Sequence, residues 1–128
     1  KNAWLFAGKR GTDAEWKKSI GAYVAGRCRA VRVGAEEALG KSNIMQLNFL
    51  VEKGAVSIDA EGYVVVKMDG FLDTLGEFAR RILTVQAEGD YAGAGVLLDT
   101  YGKVPDHVHA SLAKLKGVPR DLDVTFTF

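Results

Sequence analysis

Apolar side chains recur at three- and four-residue intervals through most of this chain and at two-residue intervals in two short stretches, a pattern that predicts helices around a small β element. The stretch from Gly34 to Gly54 organises the rest. In its second half Ile44, Leu47 and Val51, with Met45, Phe49 and Leu50 one step round, make one wide apolar helical face. Gly54 is expected to end this helix by taking the left-handed conformation, and Lys53 in the last turn complements the negative end of the helix dipole. Upstream, Thr12-Asp-Ala-Glu15 fits a capping box, so a helix starts at Asp13 and runs to about Val33. Trp16, Ile20, Val24, Cys28 and Val31 form its buried face. Gly34 and Gly40 allow a bend between the two helices.

After Gly54 the period becomes alternating: Val56 and Ile58, then Asp59-Ala-Glu-Gly62, then Tyr63-Val-Val-Val-Lys67. This predicts a β-hairpin with Gly62 in its turn. Helical spacing returns from Asp69, with Phe71, Leu75, Phe78 and Ile82 on one line and Leu72, Ala79 and Leu83 beside it, until Gly89. Asp90 caps the next helix, whose face is Tyr91, Ala94, Leu97, Leu98 and Tyr101 and whose end is Gly102. So short a connection predicts antiparallel neighbours. Pro105 suits a first helical turn, and Val108, Leu112 and Leu115 predict a last short helix stopped at Gly117. The tail Asp123-Val-Thr-Phe-Thr-Phe128 alternates strictly and is a candidate third strand, which a lone hairpin needs for stability. Ala3-Trp-Leu-Phe-Ala7 reads as a short helix or strand. The fold class is therefore mainly α: a single domain, 1–128, of about five helices with a small β-hairpin and a candidate C-terminal strand.

Composition sharpens this only in part. With 48% hydrophobic and 26% charged residues, the 128-residue chain has the make-up of one soluble globular domain. Seventeen basic against sixteen acidic residues argue against nucleic acid or an acidic membrane surface as partner. The single Cys28 forms no internal disulfide and suits a small core position. No run approaches the roughly 18 apolar residues of a membrane span, and no signal-peptide pattern opens the chain, so a cytoplasmic location is expected. Because the chain opens on Lys1 instead of Met, it is expected to be a piece of something longer.

Several motifs invite chemistry and fail on spacing. Gly34 to Ser42 ends in Gly40-Lys41-Ser42, like a phosphate-binding loop, but five residues separate the glycines where that loop has four. Glu36 and Glu37 would also repel phosphate. His107-Val-His109 is the only histidine pair, and side chains two apart on a helix diverge by about 200°, too far to share one metal ion. As an acid/base pair Glu36 and Glu37 diverge likewise; they favour a helix start. Gly93-Ala-Gly95 inside a helix points to close helix packing. Asn43, Gln46 and Asn48 interrupt an apolar run, either as substrate contacts or as core hydrogen-bonding or exposed groups.

Three consecutive blocks, Arg29-Ala-Val-Arg-Val-Gly34, Ala38-Leu-Gly-Lys-Ser-Asn43 and Gln46-Leu-Asn-Phe-Leu-Val-Glu-Lys-Gly-Ala55, resemble the dipeptidyl peptidase III (M49) family of zinc metallopeptidases, especially its bacterial branch. So do Ile82-Leu-Thr-Val-Gln-Ala-Glu-Gly-Asp-Tyr-Ala-Gly-Ala94 and Leu97-Leu-Asp-Thr-Tyr-Gly102, in the same order and spacing. The resemblance is to the C-terminal part of such enzymes and covers roughly Tyr23 to Gly102. The family holds zinc through a His-Glu-x-x-x-His helix and a later Glu-Glu-x-x-Ala-Asp/Glu helix. The first motif is missing here. Glu36-Glu37-Ala-Leu-Gly-Lys superficially resembles the second, with Gly40 and Lys41 in place of alanine and an acid, and it aligns better with a later family segment. In that segment a family histidine helps stabilise the reacting carbonyl; this chain has Leu39, which neither donates a hydrogen bond nor carries charge.

The resemblance thus implies a non-catalytic domain that binds no metal or cofactor by itself, zinc belonging to the rest of such an enzyme. Its expected partner is the missing upstream domain, or a second copy, with a peptide substrate only within a larger enzyme whose cleft it walls. Asn43 is the side chain expected to face that cleft. The alternatives are a stand-alone helical interaction module and, more weakly, a nucleotide-binding domain.

Overall fold

A computed structural model of the protein describes residues 12–115 and 117–118. The proposed stretch at 3–7 and the candidate strand at 123–128 lie outside the described residues. Among the described residues, five helices and two short strands follow one another in the order α1 (Asp13–Gly34), α2 (Ala38–Glu52), β1 (Val56–Ile58), β2 (Val64–Val66), α3 (Phe71–Glu88), α4 (Tyr91–Tyr101) and α5 (Asp106–Ala113). The described part is mainly α, with a two-stranded antiparallel sheet.

Local chemistry sets most of these boundaries. At the start of α1 the capping box is complete: the Glu15 carboxylate accepts from the Thr12 backbone N–H at 2.6 Å, and the Thr12 hydroxyl accepts from the Glu15 N–H at 3.4 Å. The Thr12 backbone N–H, helped by its hydroxyl, holds the Glu15 carboxyl below the usual carboxylate range. A depressed folded pKa contributes stability that is present above the unfolded pKa and lost as pH falls through the folded value. Glu15→Gln is accordingly expected to flatten the acid side of the profile of Tm against pH while leaving the neutral side unbent. An acid limb of the same steepness in both proteins would contradict this.

At the C-terminus of α2, Gly54 adopts φ 71°, and Ala55 N–H donates to Leu50 O at 2.9 Å. Lys53 falls one residue past the helix, where its ammonium meets Glu77 of α3 at 2.8 Å. The strands pair Val56 with Val66, Ser57 with Val65 and Ile58 with Val64. Gly62 turns the chain between them at φ 81°. The second strand is shorter than the alternation of 63–67 suggests, although Lys67 N–H still reaches Ala55 O at 2.9 Å. Helix α3 starts two residues later than Asp69 because Gly70 takes a left-handed conformation, φ 73°. Gly89 ends it in the same way, and Asp90 then caps α4 by accepting from Gly93 N–H at 2.8 Å. Pro105 sits just before α5 and not within its first turn, and Leu115 falls past its end.

The core has two parts, and α2 belongs to both. Ile44, Leu47 and Leu50 pack with Ile20, Val24 and Val31 of α1, with Val56, Phe71 and Val108 closing the cluster. On the other side Met45 and Phe49 pack with Phe78, Leu97 and Tyr101. The Asn48 amide donates to Tyr101 O at 2.7 Å and Lys103 O at 2.8 Å, satisfying carbonyls that the end of α4 leaves without helical partners. Asn48 is thus a fold-holding group. Cys28 is a half-buried free thiol packed on the first cluster, and burial pushes its pKa up, away from thiolate reactivity. Several expected core positions are not core: Tyr91 is 93% exposed and Leu83 63%, and Ala79, Leu98 and Leu115 are exposed as well. No helix among the described residues is long and apolar enough to cross a membrane.

Candidate functional site

Helical periodicity puts Ala38, Lys41, Ser42, Met45 and Gln46 on one face of α2, and that face is the floor of a groove of about 800 Å³. Tyr23 and Arg27, one turn apart on α1, make a polar wall. The opposite wall is apolar: Leu75, Phe78, Ile82 and Leu83 of α3, with Leu98 of α4 beside them. Helices α1 and α3 meet where the Tyr23 and Phe71 rings stand edge to face at 6.2 Å. The size and the apolar lining with a few polar groups are those of a small-ligand or peptide site.

The polar wall is organised around Arg27. Its guanidinium lies over the Tyr23 ring, 4.4 Å from the centroid, and Nη1 donates to Asn43 Oδ1. Asn43 Nδ2 in turn donates to Leu39 O at 2.7 Å, so both ends of this buried amide are engaged. Tyr23 OH donates to Gln46 Oε1 at 2.5 Å. Burial raises the Tyr23 pKa, with the Arg27 charge opposing, which keeps the phenol a neutral donor. Arg27 Nε is buried and has no hydrogen-bond acceptor among the described residues. Stacking and the Asn43 bond hold the cation in one orientation.

The residues singled out from sequence scatter. Asn43 does not line the groove: it is 2% exposed and meets the groove only through its bond to Arg27. Leu39 is 73% exposed on the first turn of α2, beside Ala38 of the groove. His107 and His109 flank the buried Val108 on α5, far along the chain from the groove residues and themselves exposed. Among the described residues no three His, Cys, Asp or Glu side chains are grouped to hold a metal ion. Glu36 approaches Lys41 at 3.9 Å, and Glu37 occupies the N-cap position of α2 without a side-chain cap. Gly40-Lys41-Ser42 is helix, not loop. Gly93 admits the capping Asp90 carboxylate, which a Cβ would meet at 2.1 Å, whereas a Cβ on Gly95 meets nothing within 4 Å; neither serves the close helix packing expected of the pair. Tyr23, Arg27 and Lys41 were not legible as a set. Their only sequence signal is the i, i+4 spacing of Tyr23 and Arg27 at the edge of the apolar face of α1.

No family model matches the chain. Among curated proteins it is similar to Nudix hydrolase 3 of Arabidopsis thaliana, 33% identical over 109 residues, which are 83% of this chain and 14% of that protein. Among solved structures it is similar to dipeptidyl-peptidase III from Caldithrix abyssi, with a TM-score of 0.84 and 33% identity over 94% of this chain and 24% of that one. Dipeptidyl-peptidase III from Corallococcus sp. strain EGB matches with a TM-score of 0.82 and 32% identity over 94% of this chain and 22% of that one. The chain therefore spans about a quarter of the solved enzymes it matches and about a seventh of the curated relative. Fold and sequence together bear out the resemblance drawn from the ordered blocks: over nearly all of its length, this chain is like one segment of a bacterial dipeptidyl-peptidase III of the M49 family.

Proposed function

We propose that the chain acts as a non-catalytic helical part of an M49-like dipeptidyl-peptidase, equivalent to the C-terminal, cleft-lining portion. The observation that carries this reading is the match of 94% of the chain, at a TM-score of 0.84, to a quarter of a dipeptidyl-peptidase III. On this reading the zinc and its ligands come from the remainder of the enzyme, which is also the partner. Asn43 acts at the cleft by orienting Arg27. The first turn of α2 presents Leu39 where the family has a histidine, so the domain shapes the cleft without stabilising the reacting carbonyl.

A stand-alone interaction module is the second reading, favoured by the exposed apolar side chains of Leu39, Leu83, Val96 and Leu98. A nucleotide site has less support. Gly40 is wedged against the Gly34 backbone within a helix, which leaves no loop of free N–H groups to cradle phosphate.

The test is zinc content and hydrolysis of a dipeptidyl chromogenic substrate, measured on the isolated chain and on a chimera in which it replaces the matched segment of the Caldithrix abyssi enzyme. The isolated chain is expected to hold no zinc and to be inactive, and the chimera to show weak chelator-sensitive hydrolysis that Leu39→His raises. Stoichiometric zinc and activity in the isolated chain would overturn the proposal. A folded, zinc-loaded chimera that stays inactive even with Leu39→His would favour the interaction module.

A further inference from the structure

We infer that a second groove, between α1 and the open edge of β2, is the docking site of residues 123–128 of this chain, which pair with β2 as a third strand. The inference concerns this chain's own residues and stands whether or not they belong to a larger peptidase.

The backbone supplies the first half of the argument. Lys67 N–H donates to Ala55 O at 2.9 Å and Asp59 N–H to Tyr63 O at 3.0 Å, at the two ends of the hairpin. Bonded and non-bonded pairs alternate along an antiparallel ladder, so the bonded pair between those ends is Ser57 with Val65. Val64 and Val66 therefore turn their N–H and C=O groups away from β1. Among the described residues no other element takes up these groups in a backbone bond. Such an edge is a template for another strand, and a two-stranded hairpin by itself is marginal in water.

The side chains supply the second half. Val64 and Val66 share one face of the sheet and line a groove of about 400 Å³, with Val24, Cys28 and Val33 of α1 opposite. Gly21 and Ala25, one turn apart on α1, keep that wall low, and a Cβ on Gly21 would meet nothing within 4 Å. Val33, Val64, Leu115 and Val118 leave apolar surface exposed around the groove. Its charged lining is basic, Arg29 and Arg32, with no carboxylate among the described residues.

The occupant follows from where the chain goes after α5. Val118 is itself in the lining, and Arg32 Nη2 donates to its carbonyl oxygen at 2.5 Å. Residues 119–122 then lead to Asp123, and four extended residues span up to about 14 Å, enough to bring residue 123 to β2 from within the same groove. In a strand, Val124, Phe126 and Phe128 fall on one face. Paired with β2, that face covers the valines and fills the space over Gly21 and Ala25 with aromatic rings. Asp121 and Asp123 bring negative charge to the groove whose charged lining is basic.

Amide hydrogen exchange read by NMR on the full chain tests this. The Val64 and Val66 amides are expected to be protected. Thr125→Pro removes a backbone donor from the tail and Phe126→Asp removes a ring; each is expected to speed exchange at Val64 and Val66 at least about tenfold more than at Ser57 and Val65, which bond within the hairpin. General destabilisation would speed all four alike. Cys28, the single thiol of the chain, lies in the groove, so its alkylation by iodoacetamide is expected to accelerate in the same two variants. Val64 and Val66 amides that exchange as fast as in an unfolded chain would overturn the inference, and so would protection that both substitutions leave intact. Protection that appears only as rising protein concentration produces a dimer in sedimentation would overturn it in favour of a second copy on this edge. The first of these outcomes needs no variant, so the inference stays open to refutation even if a substituted chain does not fold.

Discussion

Phe49→Ala is expected to lower the stability of the protein by about 3–5 kcal/mol, the range for emptying a well-packed aromatic site. Phe49 is fully buried, and its ring lies 5.2 Å from that of Phe78 and 5.6 Å from that of Tyr101. These contacts tie α2 to α3 and α4. Two cations close the site from outside, with Lys53 Nζ 5.4 Å and the Arg81 guanidinium 5.8 Å from the ring centroid. Arg81 also donates to the Tyr101 hydroxyl at 3.3 Å. Truncation removes the shared surface of three helices, and helix backbones cannot collapse into the space without separating from the first core cluster. Urea denaturation checks this. The midpoint should fall sharply with the slope preserved, and a loss below about 1 kcal/mol would mean that the second cluster contributes little to holding the helices together.

Gly40→Ala has the second large effect, and its sign is opposite to helix propensity. Alanine in a helix is ordinarily favoured over glycine by about 1 kcal/mol. Here a Cβ would stand 1.6 Å from Gly34 O, 2.5 Å from Gly34 C and 2.9 Å from Ala35 Cα. All three neighbours are backbone atoms, so no rotamer change relieves the clash, and the end of α1 must move away from the start of α2. The expected cost reaches or exceeds the 1–3 kcal/mol, roughly, of ordinary overpacking. The same shift would pull Arg27 from Asn43, so the polar wall of the groove should be lost together with stability. Gly95→Ala is the control: its Cβ meets open space, and it should be neutral or mildly stabilising. Equal midpoints for Gly40→Ala and the unsubstituted protein would show that the α1–α2 bend tolerates side chains.

What the sequence by itself determined about this protein is what neighbours along the chain decide. Thr12 and Glu15 close a capping box across three residues, Asp90 caps Gly93 across the same interval, and Gly54 and Gly89 end helices because their own φ angles allow it. The 3.6-residue period of Phe71 and Phe78 identified the buried line of α3 for the same reason. Even the place of α2 at the centre was legible, because a helix apolar over so wide a face must bury more than one side. The relation to dipeptidyl-peptidase III was legible too, from ordered blocks.

Only the tertiary structure decided the rest. The Arg27–Asn43 and Tyr23–Gln46 bonds join residues 16 and 23 positions apart, and Asn48 reaches carbonyls 53 and 55 positions away. Nothing in local spacing sets such pairs; they follow from the angle at which α1 and α2 pack. That angle depends on a glycine whose need appears only when Gly34 O is known to lie where its Cβ would be. Exposure of Leu83 and Tyr91 has the same origin, since a periodic pattern names a face while the neighbouring helix decides how much of that face is covered. The fold was readable because helix signals act over one turn. The groove was not, because its cation, its anchor and its apolar wall come from four helices that meet only once folded.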